Sequence, residues 1–524
     1  MRCSIFVRAF LGTLVTSGRA ISLDKRIPNT MVYSFEDISP TLDLSWVPCF
    51  DNFTCTILQV PLDYSSPYDG NTTLAFIKIP SANATAEDIL YNPGGPGGSG
   101  ISSILTSPAG FVKLIGSQYN IVGFDPRGVN NSGISLDCFP DDLGAAVDFA
   151  AETLNFPINA ESEFDVSETY LKELGFGQRC TAAQDPAAPK KYANTVAVAN
   201  DMRYYTELVA KQRGQAVETS KLWYYGQSYG TILGQTFATL FPERIGRMVL
   251  DGVVDTEDYY SGAWRTSLQD TDAAFKTFFT TCFAAGPERC AFRGNATSAA
   301  ELEQRFASLY NMLHENPILA DPRLTPTPFV YDWRDLKLAI FEDLYNPMAY
   351  YPPLAELFVA VEQRNASALA AAPRGVLRAP LNNSVISCID QAGRSNLSTL
   401  SAFRAYLSHT RHQSWVGGEK WIAIAGGPCP ALDIVPPGSQ LFRGSIGTNK
   451  TSTPILMLSS ALDPVAPISG ARVSSARFPG SALLEVNGTA VCTCSLFFQS
   501  TPSGPSIPSP CPTLFSTAAQ YHLS

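Results

Sequence analysis

The chain has 524 residues, 45% of them apolar, and its 37 basic against 47 acidic residues leave a net charge of −10. Such a composition belongs to a folded chain of one large or two modest domains and excludes a largely disordered one. Mild acidity without basic clusters argues against nucleic acid and anionic membrane as partners, and no apolar run approaches the roughly 20 residues that span a bilayer.

At the N-terminus, Arg2 and Arg8, the short apolar stretch 9–15 and Gly18-Arg19-Ala20 resemble a secretory leader covering 1–20. An extension, 21–45, follows; its Lys25-Arg26 reads either as a dibasic processing site or as a solvated pair. Ten N-x-S/T sequons, beginning at Asn52, Asn71, Asn83, Asn130, Asn295, Asn365, Asn382, Asn396, Asn449 and Asn487, favour passage through the secretory lumen and an extracellular protein. Of the 12 cysteines, Cys3 would leave with the leader, so an odd number remains in oxidising surroundings. Cys49 with Cys55, Cys282 with Cys290 and Cys388 with Cys429 are the expected bridges. Cys492-Thr493-Cys494 is too tight for zinc and histidines are scarce, so neither a metal nor a cofactor is expected.

From 46 to 255 short β-rich runs alternate with helical ones, the signature of a mostly parallel sheet with covering helices. Strands are expected at 74–79, 88–91, 120–124, 222–225 and 247–250, and a helix at 195–213. Chemistry in such sheets sits beyond the carboxyl ends of the strands. Three motifs occupy those ends: Asn92-Pro93-Gly94-Gly95-Pro96-Gly97-Gly98-Ser99-Gly100, Phe124-Asp125-Pro126-Arg127-Gly128 and Gly226-Gln227-Ser228-Tyr229-Gly230. The stretch 256–427 changes to long helical runs and reads as a cap inserted into the sheet, or else as a separate domain. The sheet pattern returns at 428–495 with strands at 454–458 and 482–486, and 496–524 is a Ser/Pro-rich tail expected to be disordered.

The third motif, between a strand and a helix, reads as a nucleophile elbow presenting Ser228. A serine needs a base to take its proton and donors for the oxyanion it creates. The backbone N–H of Tyr229 is one expected donor, and Gly95, supported by Gly94, is the other, because glycine amides can turn toward a substrate oxygen. The glycine loop lacks the Lys-Ser/Thr ending of a P-loop and the spacing of a dinucleotide fingerprint. In the second motif Asp125 and Arg127 are expected to pair locally and hold a turn. Asp463, after the strand at 454–458, is the expected acid on the strength of chain order; Asp251 and Asp255 are alternatives.

Five segments together, the glycine loop, Asp125-Pro126-Arg127-Gly128, Gly226-Gln227-Ser228-Tyr229-Gly230-Thr231, Met248-Val249-Leu250-Asp251-Gly252-Val253-Val254-Asp255 and Ala461-Leu462-Asp463-Pro464-Val465, resemble the secreted tripeptidyl and prolyl aminopeptidase group of α/β-hydrolases over about 46–490. The resemblance implies an extracellular serine exopeptidase acting on peptide N-termini, with Ser228 as nucleophile and Asp463 as triad acid. It also implies a histidine soon after the last strand, where this chain has Gly488-Thr489-Ala490-Val491-Cys492 and so presents Val491. His314, His409 and His412 fall in the expected cap and His522 in the tail. A genuine inactive relative, a departure from the family's reading frame near 490, and a folding back of His522 are the three explanations.

A serine aminopeptidase is therefore expected, with peptide as its partner. A peptide-binding relative that never cuts, and an esterase, are the alternatives. An exopeptidase must hold an ammonium group, and Glu342 and Asp343 are the acids named for that task.

Overall fold

Seven strands precede the insert: β1 (Val47–Cys49), β2 (Phe53–Pro61), β3 (Asn71–Ile79), β4 (Asp88–Asn92), β5 (Asn120–Phe124), β6 (Leu222–Gln227) and β7 (Ile245–Asp251). Within the insert β8 (Ile318–Leu319) and β9 (Val330–Tyr331) form a minimal hairpin, and β10 (Ile455–Leu462) and β11 (Ala482–Thr489) follow it. The computed structural model describes residues 31–491 except 141, 155–156, 263, 373–380 and 395–396. The expected leader, Lys25-Arg26, the tail with His522, and Cys492 and Cys494 lie outside the described residues.

Nine strands make one sheet in the order β1-β2-β3-β5-β4-β6-β7-β10-β11. The first three are antiparallel, β3 meets β5 antiparallel, and from β5 to β11 every pairing is parallel. All residues of β4, and all but the first of β5, are buried, which is why they read as unbroken apolar runs rather than alternating ones. The seven strands expected from sequence correspond to β3 to β7, β10 and β11, with Pro454 alone falling outside. β1 and β2 were not among them. Their connection places Phe50 and Asp51 at φ 44° and 67°, a left-handed turn without the glycine that would have announced it, and the Cys49–Cys55 disulfide closes it.

Helices from Thr256–Ser261 to Gly418–Ala425 separate β7 from β10, with β8 and β9 an addition to the expected all-helical insert. Their interior is aromatic: Phe278 meets Phe279, Tyr351 and Phe358 edge-on with centroids 5.1–5.4 Å apart. The helix Glu163–Ala182, within the stretch assigned from sequence to the first part of the core, packs on the insert. Tyr170 Oη donates to Ser398 O at 2.8 Å, Arg404 pairs with Glu163, and the Cys138–Cys180 disulfide holds the helix to the loop after β5. The three bridges expected from sequence are present beside this fourth one.

Asp125 and Arg127 do not pair with each other. Arg127, fully buried, makes a two-pronged contact with Asp201 on the helix Thr195–Gln212, both bonds at 2.7 Å, and donates to the carbonyls of Pro61 and Leu62. Asp125 accepts from Ser99 Oγ at 2.5 Å and from Asn131 Nδ2 at 2.9 Å. Asp125 holds the turn partly by local bonds from Asn131, whereas Arg127 is held by long-range ones, because a planar guanidinium is satisfied best by a carboxylate facing it squarely.

Candidate active site

β6 ends at Gln227, paired in register with Asp251 of β7, and the chain turns at once into the helix Tyr229–Leu240. Ser228 occupies that corner with φ 53° and ψ −123°, a region costly for a residue with a Cβ and held only where the surroundings enforce it. Three bonds enforce it: Ser228 N–H donates to Asp251 O at 2.9 Å, and Thr231 donates to Ser228 O through N–H at 2.8 Å and through Oγ1 at 2.7 Å. A Cβ on Gly226 would lie 2.4 Å from Gly230 O, so the turn closes only with glycine at that position. The serine side chain is half-buried and makes no capping bond to its helix.

The glycine loop begins beside this corner, since Asn92 of β4 pairs with Gly226. Gly94 and Gly95 have φ of 94° and 112°. A Cβ on Gly94 would stand 2.4 Å from Gln227 O, 2.8 Å from Tyr229 N and 3.0 Å from Ser228 Cβ, so the loop lies directly on the elbow. The two glycines differ in what their amides do. Gly94 N–H donates to the buried Asn92 Oδ1 at 2.9 Å, which occupies it, whereas Gly95 is exposed and its N–H has no bond among the described residues. Asn92 was not singled out from sequence; only its place ahead of the glycines pointed to it. Ser99, at the far end of the loop, is the residue that Asp125 grips.

Asp463 follows β10 directly and is fully buried, with Oδ1 accepting from Val465 N–H at 3.0 Å and Ala466 N–H at 2.8 Å. The alternative acids are engaged elsewhere. Asp251 Oδ2 accepts from Tyr225 Oη at 2.9 Å, and Asp255 caps the helix Thr256–Ser261 and pairs with Arg477. In the β10–β11 ladder Leu462 pairs with Thr489, so Val491 comes two residues past the partner of Asp463's neighbour. It is buried, and its N–H reaches Tyr345 O at 3.4 Å. The described histidines are elsewhere: His409 Nε2 is 3.0 Å from Arg265 O. His314 and His412 line a cavity of about 510 Å3 in the insert, whose wall includes neither Ser228 nor Asp463.

The Tyr345 contact brings the end of the helix Trp333–Asp343 beside the end of β11. Its Glu342 and Asp343 are half-buried. Glu342 faces Lys420, whose ammonium burial pushes down to about 8 against the pull of Glu342 and Glu173. Glu173 was not named from sequence. It is almost wholly buried, neither of its oxygens has a hydrogen-bond partner among the described residues, and burial holds its carboxyl well above the usual range, Lys420 opposing. Among the described residues no group of histidine, cysteine and carboxylate side chains is arranged to hold a metal.

A model of the alpha/beta hydrolase fold family matches residues 89–490. Serine protease Hip1 of Mycobacterium tuberculosis is 28% identical over 66% of this chain and 67% of its own length. Tripeptidyl aminopeptidase of Streptomyces coelicolor is 26% identical over 82% of this chain and 75% of its own length. A shorter likeness, 38% over 17% of each chain, is to carboxylesterase B of Mycobacterium tuberculosis.

Proposed function

Since this chain belongs to the alpha/beta hydrolase fold family, we propose that it is a serine peptidase releasing short fragments, tripeptides first among them, from peptide N-termini. The observation that carries this reading is the seating of Gly94 against Ser228 and the Tyr229 amide. It brings to one corner a strained, half-buried serine and two amides, those of Tyr229 and Gly95, that have no bond among the described residues. The likeness to proteins named serine protease and tripeptidyl aminopeptidase supports it.

In the proposed reaction Ser228 Oγ attacks the scissile carbonyl carbon. The oxygen that takes up the negative charge receives hydrogen bonds from Tyr229 N–H and Gly95 N–H. Collapse breaks the C–N bond, the amine departs with a proton, and water hydrolyses the acyl-serine. Gly94 contributes close approach rather than a hydrogen bond, its amide being held by Asn92. Asp463 is the acid meant to orient a base at position 491, and Glu342 with Asp343 offers the negative charge that a substrate ammonium needs.

Valine cannot accept the serine proton, which must then pass to solvent, so turnover in this chain is set by the anion pocket and binding alone. The burial of Val491 and its bond to Tyr345 O favour a second reading, a peptide-binding relative that cuts poorly. Turnover of tripeptidyl and aminoacyl arylamides by the purified chain, beside Val491→His and Ser228→Ala, separates the readings. Peptide binding without turnover in the parent and in Val491→His refutes the peptidase.

An extracellular location fits four disulfides and sequon asparagines that are exposed at eight positions. Asn382 is the exception among the described sequons; it is half-buried and donates to Gly128 O. No helix among the described residues is long and apolar enough to cross a membrane. The domain limits 46–255, 256–427 and 428–495, a removable leader over 1–20 and an extension over 21–45 belong to the same proposal.

A further inference from the structure

We propose that Asp390, a carboxylate supplied by the helical insert, is a positioning residue that holds the Tyr229 side of the anion pocket through Thr195. This rests on the reading of Ser228 and Tyr229 given above and assigns to it a residue far from both in sequence.

Asp390 lies near the end of the helix Asn382–Gln391 and is 4% exposed. Its Oδ1 accepts Thr195 N–H at 2.8 Å, and its Oδ2 accepts Thr195 Oγ1 at 2.5 Å and Tyr259 Oη at 2.6 Å. A threonine hydroxyl has one hydrogen. Thr195 gives it to Asp390, so in the 2.5 Å contact between Thr195 Oγ1 and Tyr229 Oη the phenol is the donor. The bonds thus run in one direction, from Tyr229 to Thr195 to the carboxylate, and all four side chains are buried. Only an acceptor on both oxygens can end that chain: an amide there would turn an NH2 toward either Thr195 N–H or the two hydroxyls.

Tyr229 is where this matters. Its backbone N–H is the donor that must already point at the oxyanion position before reaction, because donors that reorient during reaction stabilise nothing. The elbow bonds fix the Ser228 side of that peptide group. Asp390 fixes the other side by anchoring the far end of the Tyr229 ring. The same insert helix reaches the opposite wall of the pocket at its start, where Asn382 Nδ2 donates to Gly128 O at 2.9 Å and Asn382 Cβ would stand 3.4 Å from a Cβ on Gly97. Ten residues long, it spans about 15 Å, touching the glycine loop at one end and Tyr229's anchor at the other. The insert therefore bears on the donor pocket from two sides, through the glycine loop and through the Tyr229 ring.

A tripeptidyl boronic acid tests this without depending on turnover: Ser228 Oγ adds to the trigonal boron, its proton leaves to solvent, and the tetrahedral anion occupies the donor pocket. Affinity is measured by calorimetry and thermal midpoints by melting, for the parent, Asp390→Asn, Tyr229→Phe, Thr195→Val, Thr195→Ser and the Asp390→Asn/Tyr229→Phe pair. Asp390→Asn, Tyr229→Phe and Thr195→Val are each expected to bind about tenfold more weakly, the loss of about one buried hydrogen bond. Thr195→Ser keeps the hydroxyl and stays within about twofold, and the pair is no weaker than about tenfold because both changes cut one chain. Lower midpoints with unchanged affinity overturn the proposal in favour of a purely structural role, as do losses that multiply in the pair. A parent that does not bind, or that binds no better than Ser228→Ala, refutes instead the reading of Ser228 on which the proposal stands.

Discussion

Gly94→Ala is the sharpest perturbation that the site allows. The added methyl would sit 2.4 Å from Gln227 O and 2.8 Å from Tyr229 N, and ordinary contact distances of about 3.5 Å mean that the loop must retreat by roughly 1 Å. Alanine at φ 94° adds about 1–2 kcal/mol of backbone strain, and overpacking about 1–3 kcal/mol more. A displacement of that size at a reacting centre weakens transition-state contacts by about 100-fold. Gly214→Ala separates the two costs, because Gly214 has a positive φ of 66° but nothing within 4 Å of its added Cβ. That control should lose only about 1–2 kcal/mol of stability and keep the parent's affinity for the tripeptidyl boronate. Gly94→Ala should lose about 2–5 kcal/mol and about 100-fold in affinity. Matching behaviour of the two variants, by denaturant unfolding and calorimetry, would show that the glycine loop does not rest on the elbow.

Val491→His is expected to raise the rate of tripeptidyl arylamide hydrolysis by about 10²–10⁴-fold, the contribution of a positioned base; Ser228→Ala in the same background should remove the gain, and a gain that survives it means another nucleophile. Asp390 supplies a pH test. Burial raises its carboxyl to about 6, so the folded state holds its proton to a higher pH than the unfolded chain does. The stability this confers is complete below about pH 4 and is lost as pH rises through 6, roughly 3 kcal/mol in all. In Asp390→Asn that component is absent, so the parent's unfolding free energy minus the variant's should be larger at pH 4 than at pH 7, and an equal difference at both counts against the shift. Arg127→Met leaves Asp201 buried without its guanidinium and should cost about 3–5 kcal/mol in unfolding free energy, whereas a loss under about 1 kcal/mol would mean that water satisfies Asp201.

What was legible in the sequence was what the backbone dictates locally. A loop on which a Cβ at 94 would stand 2.4 Å from Gln227 O tolerates only glycine there, and buried parallel strands must be continuous apolar runs, so both the motif and β4 to β7 could be read from neighbouring residues. Most partnerships across long separations leave no such trace, the Cys388–Cys429 bridge being an exception. Arg127 meets Asp201 74 positions away, Thr195 meets Asp390 195 positions away, and Cys138 bridges to Cys180 across 42. Each of these side chains would look the same in sequence if it faced solvent. Hence Asp125 and Arg127 read as a local pair, and nothing in the sequence singles out Glu173.

Position 491, where the resemblance implies a base, reverses this pattern, because there the sequence speaks in one residue and the structure supplies its meaning. Every preorganised part of the corner is a backbone or buried-network feature: the strained Ser228, the unspent Gly95 amide, the Tyr229 anchor. None of them involves residue 491. Val491 is packed into the apolar core, with its amide turned to Tyr345 O, a placement that leaves those parts untouched. On the proposed reading, binding of a tetrahedral anion and turnover of an amide are therefore separable: the first would depend on the Tyr229 and Gly95 amides, the second on a proton acceptor that position 491 does not offer. A parent chain that binds the boronate tightly yet hydrolyses arylamides slowly, and gains rate but little affinity from Val491→His, is the result this separation requires. Affinity and rate rising together in that variant would mean that the imidazole organises the pocket itself, and that the anion site is incomplete without it.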